Sequence, residues 1–142
     1  MKPITAEITI DRPRAELYEL IEDLRNHEAW TDHMLVDWSG TPERVRVRSA
    51  LPGPADWLDI QTTSVTPPSE TVERTTGAKG KRVSYGTYRL REEGPSSTHV
   101  EFELRIETMP RRERVPAPLL RPYLQRVNDK AMRRLKEHAE SR

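Results

Sequence analysis

Apolar residues recur along this chain at two spacings. Ile4, Ala6, Ile8 and Ile10 alternate with Thr5, Glu7 and Thr9. A period of two belongs to a strand with one face buried, so the spacing predicts a strand at the start of the chain. Asp11 then offers an N-cap, and Pro13 falls in a first helical turn, where its missing N–H costs little. Leu17, Tyr18, Ile21 and Leu24 share one face of a helix predicted over residues 13–24. Asn26 is the expected cap of a second short helix, from His27 to about Asp32, which carries Trp30.

From residue 34 to residue 109 the pattern is that of strands. A short strand over 34–38 ends at Ser39-Gly40. Residues 43–50 set Val45 and Val47 on one face and Arg44, Arg46 and Arg48 on the other. A Pro/Gly turn follows at 51–56. Residues 57–65 read as a strand with apolar residues in both phases, Leu58 and Ile60 against Trp57 and Val65, so its inward face stays open. Pro67-Pro68 breaks the chain, and 69–76 is a strand of weak apolar content whose inward face is likewise open. After the turn Gly77-Ala78-Lys79-Gly80 comes a long strand, 81–92, and a hairpin closed by Glu93-Gly94-Pro95-Ser96. Val100, Phe102, Leu104 and Ile106 alternate with Glu101, Glu103, Arg105 and Glu107 in the last strand. If Tyr88 and Leu90 point inward with Phe102 and Leu104, then Arg89 and Arg91 stand outside beside Glu101 and Glu103. Such cross-strand ion pairs are worth roughly 0.2–1 kcal/mol each.

The spacing changes to three and four over residues 116–142. Leu120, Tyr123, Leu124, Val127, Ala131, Leu135 and His138 form one stripe. A helix with so wide an apolar stripe needs cover. Pro116, Pro118 and Pro122 shape its start. The order is strand, two short helices, about six strands and a long helix, which predicts an α+β fold. In it a curved antiparallel sheet of about seven strands wraps the C-terminal helix, with two short helices after the first strand. On this geometry Val127 lies under the sheet, and Val127→Asp is expected to cost several kcal/mol. A sheet gripping one helix tends to leave a cavity between them, the default place for a ligand.

Composition narrows the picture. At 142 residues the chain is expected to be a single domain, 1–142. Apolar and charged residues are balanced at 34% and 33%, so the core is economical and each of the eight aromatics matters to packing. The chain has no Cys, which excludes disulfides, thiol nucleophiles and Cys-ligated metals, and agrees with a cytoplasmic setting. No apolar run reaches the ~20 residues of a transmembrane helix. The net charge of +1 gives no pull toward DNA. The last helix is locally basic.

Catalytic motifs are absent: no HExxH, GxSxG or phosphate loop is present. The four histidines, His27, His33, His99 and His138, are dispersed, so no metal site and no cofactor is expected. His33 follows Trp30 toward the expected cavity mouth and is a candidate acid or base, weighed against a rim histidine. His138 near the helix end suits the helix dipole. Trp30, Trp57, Tyr88, Phe102 and Tyr123 join large apolar area to polar tips and are candidates to line the cavity, against the plainer role of core filling. Asn128, beside the stripe, is a candidate to orient a ligand, against a solvent-facing role.

Residues 4–30, ITAEITIDRPRAELYELIEDLRNHEAW, and 85–107, YGTYRLREEGPSSTHVEFELRIE, followed by the long helix, resemble the START/Bet v 1-like (SRPBCC) superfamily and its polyketide cyclase/dehydratase group. The resemblance covers the whole chain and implies the helix-grip fold. Aromatase/cyclase members carry an arginine in the strand after the central Trp. The matching stretch here, TTSV at 62–65, has none, which leaves Arg46, Arg74 or Arg89 to supply one.

The first functional reading is a protein that binds a small hydrophobic or amphipathic molecule between sheet and helix. Its expected ligand-binding residues are Trp30, Trp57, Tyr88, Phe102, Leu120, Tyr123, Leu124 and Val127. The alternative is a cofactor-free polyketide cyclase/dehydratase-type enzyme that moves protons with cavity side chains, though no residue is assigned a catalytic role. A further alternative is a partner-binding module acting through the basic helix. A homodimer is left open. A buried His, Asp or Arg in the cavity would favour the enzyme over the carrier.

Overall fold

Seven strands form one antiparallel sheet in the order β1-β7-β6-β5-β4-β3-β2. The structure is a computed structural model and describes residues 1–51, 56–111 and 115–142. The strands are β1 (Ile4–Ile10), β2 (Leu35–Thr41), β3 (Arg44–Ser49), β4 (Trp57–Thr66), β5 (Glu70–Gly77), β6 (Arg82–Gly94) and β7 (Ser97–Thr108). Between β1 and β2 lie α1 (Arg14–Glu22), a 3-10 turn (Leu24–His27) and α2 (Glu28–Thr31), and the chain ends in α3 (Ala117–Glu140). β1 and β2 occupy opposite edges of the sheet, so the helical segment between them crosses it. This is the helix-grip arrangement. The turn expected at 51–56 and the polar connection at 111–114 lie partly outside the described residues. Among the described residues no helix is long and apolar enough to cross a membrane.

The period-two pattern translates directly into burial. Ile4, Ala6 and Ile10 are buried on β1, opposite Leu104, Phe102 and Thr98 of β7. Tyr88 and Leu90 face inward on β6 with Val100 and Phe102 on β7. The two open faces are settled as well. On β4, Leu58 and Ile60 are buried, while Trp57 and Val65 are 47% and 52% exposed. A bulge between Thr62 and Ser64 shifts the register farther along the strand. On β5, Thr71 and Gly77 are buried and Glu73 is half-buried in the same phase, so the odd-numbered residues face in.

Two expected caps are corrected. No side chain caps α1, whose N-cap residue is Pro13 and not Asp11. At the next helical segment Asp23 does the capping by accepting from the Arg25 N–H at 3.0 Å. Asn26 instead donates to the Leu20 carbonyl at 2.9 Å, one of the carbonyls that the end of α1 leaves without a partner.

Helix α3 leans on β1 and α2. Side chains along it bind the first strand's backbone: Gln125 Nε2 donates to the Thr5 carbonyl at 2.8 Å and Lys136 Nζ to that of Thr9 at 3.1 Å. His33 Nε2 donates to the Val127 carbonyl at 3.0 Å and ties α2 to the helix. The buried residues of α3 are Asn128, Ala131, Met132, Leu135 and Ala139. Of the expected stripe, Ala131 and Leu135 are buried and His138 is half-buried, while Met132 and Ala139, outside the expected stripe, are sealed instead. Leu120, Tyr123, Leu124 and Val127 are only half-buried, so Val127 is not sealed under the sheet, and Leu119 is 68% exposed. Asn128 faces inward, and its side chain donates to the Leu124 carbonyl at 2.8 Å.

The outer face carries the charge ladder. Arg89 reaches Glu70, Glu101 and Glu103 at 3.2, 3.0 and 3.5 Å. Arg91 departs from the expected pairing: it stands opposite His99 and meets Glu93 at 2.9 Å.

Candidate functional site

The inward surface holds two apolar clusters. The larger joins α1, α2, α3, β1, β6 and β7 around Trp30, Leu17, Ile21 and Leu135. The smaller joins Leu24 to Val45, Val47, Leu58 and Ile60. A polar group lies on the concave face near them, made by His27, Glu73 and Tyr88.

His27 is placed by the end of α1. Its Nε2 lies 2.6 Å from the Ile21 carbonyl, another acceptor left open by the helix terminus. A carbonyl only accepts, so Nε2 carries the hydrogen and Nδ1 keeps its lone pair. Nδ1 lies 3.7 Å from Glu73 Oε2. The His27 ring packs against Trp30 and Tyr88, with centroids 4.7 and 5.4 Å away.

Glu73 comes from β5, opposite Gly86 of β6 and Thr62 of β4. Gly86 is what lets the carboxyl lie there. A Cβ at that position would stand 2.8 Å from Glu73 Oε1 and 2.9 Å from Phe102 Cε1. No residue with a side chain fits without displacing one of them. The Glu73 side chain keeps 15% of its surface accessible, and among the described residues no donor reaches its carboxyl within hydrogen-bond distance. Tyr88 Oη accepts from Trp30 Nε1 at 3.2 Å, and the Tyr88 and Phe102 rings lie 4.8 Å apart.

Burial sets the charge states. Desolvation pushes Glu73 up to about 8 and His27 down to about 4, the latter against the opposing pull of the Ile21 hydrogen bond and of Asp23. Desolvation also raises Tyr88, helped by Glu73. At neutral pH the group is therefore uncharged: a carboxylic acid that donates beside an imidazole nitrogen that accepts.

A cleft of about 440 Å³ opens beside the first half of α3. Tyr123 and Val127 form its helical wall, with His33, Ala50 and Leu51 opposite. Arg126, Lys130 and Arg133 rim it and have no carboxylate within ion-pair distance among the described residues. His33 is held by Val127 and faces Arg134, which is paired with Asp32, and burial lowers its pKa.

Of the eight expected ligand-binding residues, the fold brings Trp30, Tyr88 and Phe102 together in the core and sets Leu120, Tyr123, Leu124 and Val127 along the open half of α3. Trp57 is corrected: it lies on the outer face, with the Arg46 guanidinium 5.2 Å from its ring centroid. Arg46, Arg74 and Arg89 all point to the outer side, so none of them supplies an interior arginine. Glu73 and His27 were not anticipated as a pair. One signal for Glu73 was present: a glycine inside a long strand marks a close approach, and Gly86 stands across from it.

A family model described as polyketide cyclase/dehydrase and lipid transport matches residues 1–140. Among solved structures, a START superfamily protein from Mycobacterium smegmatis superposes with a TM-score of 0.80 at 12% identity, over 98% of this chain and 97% of that one. A conserved protein from Geobacillus kaustophilus superposes with a TM-score of 0.80 at 10% identity, over 99% and 96%. DynU16, from the dynemicin biosynthetic locus, gives 0.67 at 17% identity, over 99% of this chain and 48% of its own. At such identities the likeness is one of fold. No curated protein matches the sequence.

Proposed function

The chain belongs to the polyketide cyclase/dehydrase and lipid transport family, and from that premise we propose that it binds a small amphipathic molecule between the sheet and the first half of α3. One observation carries this reading. In the second half of α3, Ala131, Met132, Leu135 and Ala139 are buried, whereas Tyr123 and Val127 stay half-covered in the wall of the cleft. Apolar surface left half-covered beside a recess is stabilised by an apolar occupant. Nile red is the test. It is expected to bind saturably with a blue-shifted emission, and Val127→Trp, which fills the cleft, is expected to weaken binding about tenfold without lowering the melting temperature. If Nile red does not saturate, or Val127→Trp leaves its affinity unchanged, the reading fails.

A second reading, proton transfer on a poly-β-carbonyl chain, is favoured by the His27–Glu73 pair alone. A neutral acid beside a neutral imidazole is the pairing that dehydration and enolisation use. Turnover of a β-hydroxy thioester that is lost in Glu73→Gln supports it, and turnover equal to the uncatalysed rate removes it.

A further inference from the structure

We infer that His27 and Glu73 form a subsite for a neutral hydroxyl group, in which one ligand oxygen accepts from the Glu73 carboxyl and donates its own hydrogen to His27 Nδ1. This rests on the reading that the chain binds a small amphipathic molecule, and it places a hydroxyl of such a molecule on the concave face, at residues other than those that line the cleft.

The distances support it. Nδ1 and Oε2 are 3.7 Å apart, beyond a direct hydrogen bond. A third oxygen set to the side of that line reaches both atoms at about 2.8 Å, the ordinary length of such a bond. The His27 hydrogen is committed to Ile21, so Nδ1 has only a lone pair to offer. Tyr88 Oη accepts from Trp30 and, among the described residues, makes no hydrogen bond to either atom. The carboxyl retains accessible surface and has no donor of its own among the described residues, and Gly86 leaves it lying against β6.

The chemistry selects the group. A carbonyl or ether oxygen accepts from Glu73 but leaves Nδ1 unpaired, and a buried unpaired acceptor costs about 1–3 kcal/mol. An ammonium would donate to both atoms, but the desolvation that holds Glu73 neutral penalises a buried ammonium in the same way. A carboxylate would bring a charge to a group that has no cation in it. A hydroxyl on an apolar body satisfies both atoms and adds no charge. The Trp30 and Tyr88 rings that pack against His27 give the hydroxyl apolar surroundings.

Three naphthalenes in mildly acidic buffer test this: 2-naphthol, 2-methoxynaphthalene and 2-naphthylmethylamine. A purely apolar recess prefers the methoxy compound, which is the more hydrophobic. The subsite predicts that 2-naphthol binds about tenfold tighter than 2-methoxynaphthalene, as one satisfied buried acceptor requires. It also predicts that His27→Phe, which removes the Nδ1 acceptor, reverses this order and that Glu73→Gln, which keeps a donor, preserves it. The order measured on the unaltered protein decides the matter even if a variant fails to fold. Methoxy binding that equals or exceeds naphthol binding, or amine binding that exceeds both, overturns the subsite and leaves the binding reading standing. No binding of any of the three overturns both.

Discussion

Nδ1 of His27 lies 3.7 Å from the Glu73 carboxyl, and burial drives the two groups to their uncharged forms from opposite directions. This shapes stability against pH. The folded pKa of Glu73, about 8, lies above its ordinary 4.5, so its contribution is full below 4.5 and is lost as pH rises toward 8. The folded pKa of His27, about 4, lies below 6.5, so its contribution is full above 6.5 and is lost as pH falls toward 4. Between 4.5 and 6.5 the two slopes cancel. From 6.5 to 8 only Glu73 acts, and at ~1.36 kcal/mol per pH unit the protein loses about 2 kcal/mol. Urea unfolding across that interval is expected to show the loss in the wild type and its absence in Glu73→Gln.

Trp30 and Tyr88 give a second prediction. Tyr88→Phe leaves the fully buried Trp30 N–H without its acceptor, and Trp30→Phe removes the donor and opens a cavity. Each change is expected to cost about 1–3 kcal/mol, and the double variant less than the sum. Additive losses in denaturant melts would show that the 3.2 Å contact carries no energy.

The third prediction separates the two halves of α3. Leu135 is fully buried, and Leu135→Ala is expected to cost about 2–5 kcal/mol. Val127 borders the open cleft, so Val127→Asp is expected to cost about 1 kcal/mol or less. That replaces the large loss inferred from periodicity alone. Equal melting shifts in the two variants would contradict the difference in burial between the two halves of the helix.

Gly86→Ala is the fourth. The added methyl meets Glu73 Oε1 and the Phe102 ring. The carboxylate end can swing away, but the ring is held by Tyr88 and the core. Overpacking of about 1–3 kcal/mol is expected, together with a fall in Glu73 pKa toward its ordinary range as the carboxyl moves outward. Carbonyl-carbon NMR titration of Glu73 reads the second effect.

The strands of β1 and β7 were legible because their apolar residues sit in one phase with charges in the other. The hairpin turns are consistent with the neighbouring pairs from β2 to β7, but the pairing of β1 with β7 has no local signal. β4 resisted reading because Trp57 and Val65 are apolar side chains left on the exposed phase, Trp57 supported from outside by Arg46, a partner on another strand. α3 showed its period but not its orientation. Which residues of the helix are sealed depends on where β1 and α2 meet it, and no local pattern records that. Glu73 hid between Thr71 and Thr75, side chains equally at home on either face. His27 read as one of four scattered histidines because the carbonyl that orients it belongs to the preceding helix.

The pairing of β1 with β7 has a kinetic consequence. Ile4 meets Leu104 and Ile10 meets Thr98, so the sheet's edge is closed by contacts between segments almost a chain length apart. Such contacts form only after a large loop has closed, and their loss of chain freedom must be met before any of them stabilises the fold. Refolding is therefore expected in the milliseconds-to-seconds range of sheet-dominated topologies. Substitutions on β1, such as Ala6→Gly, are expected to speed unfolding more than they slow folding.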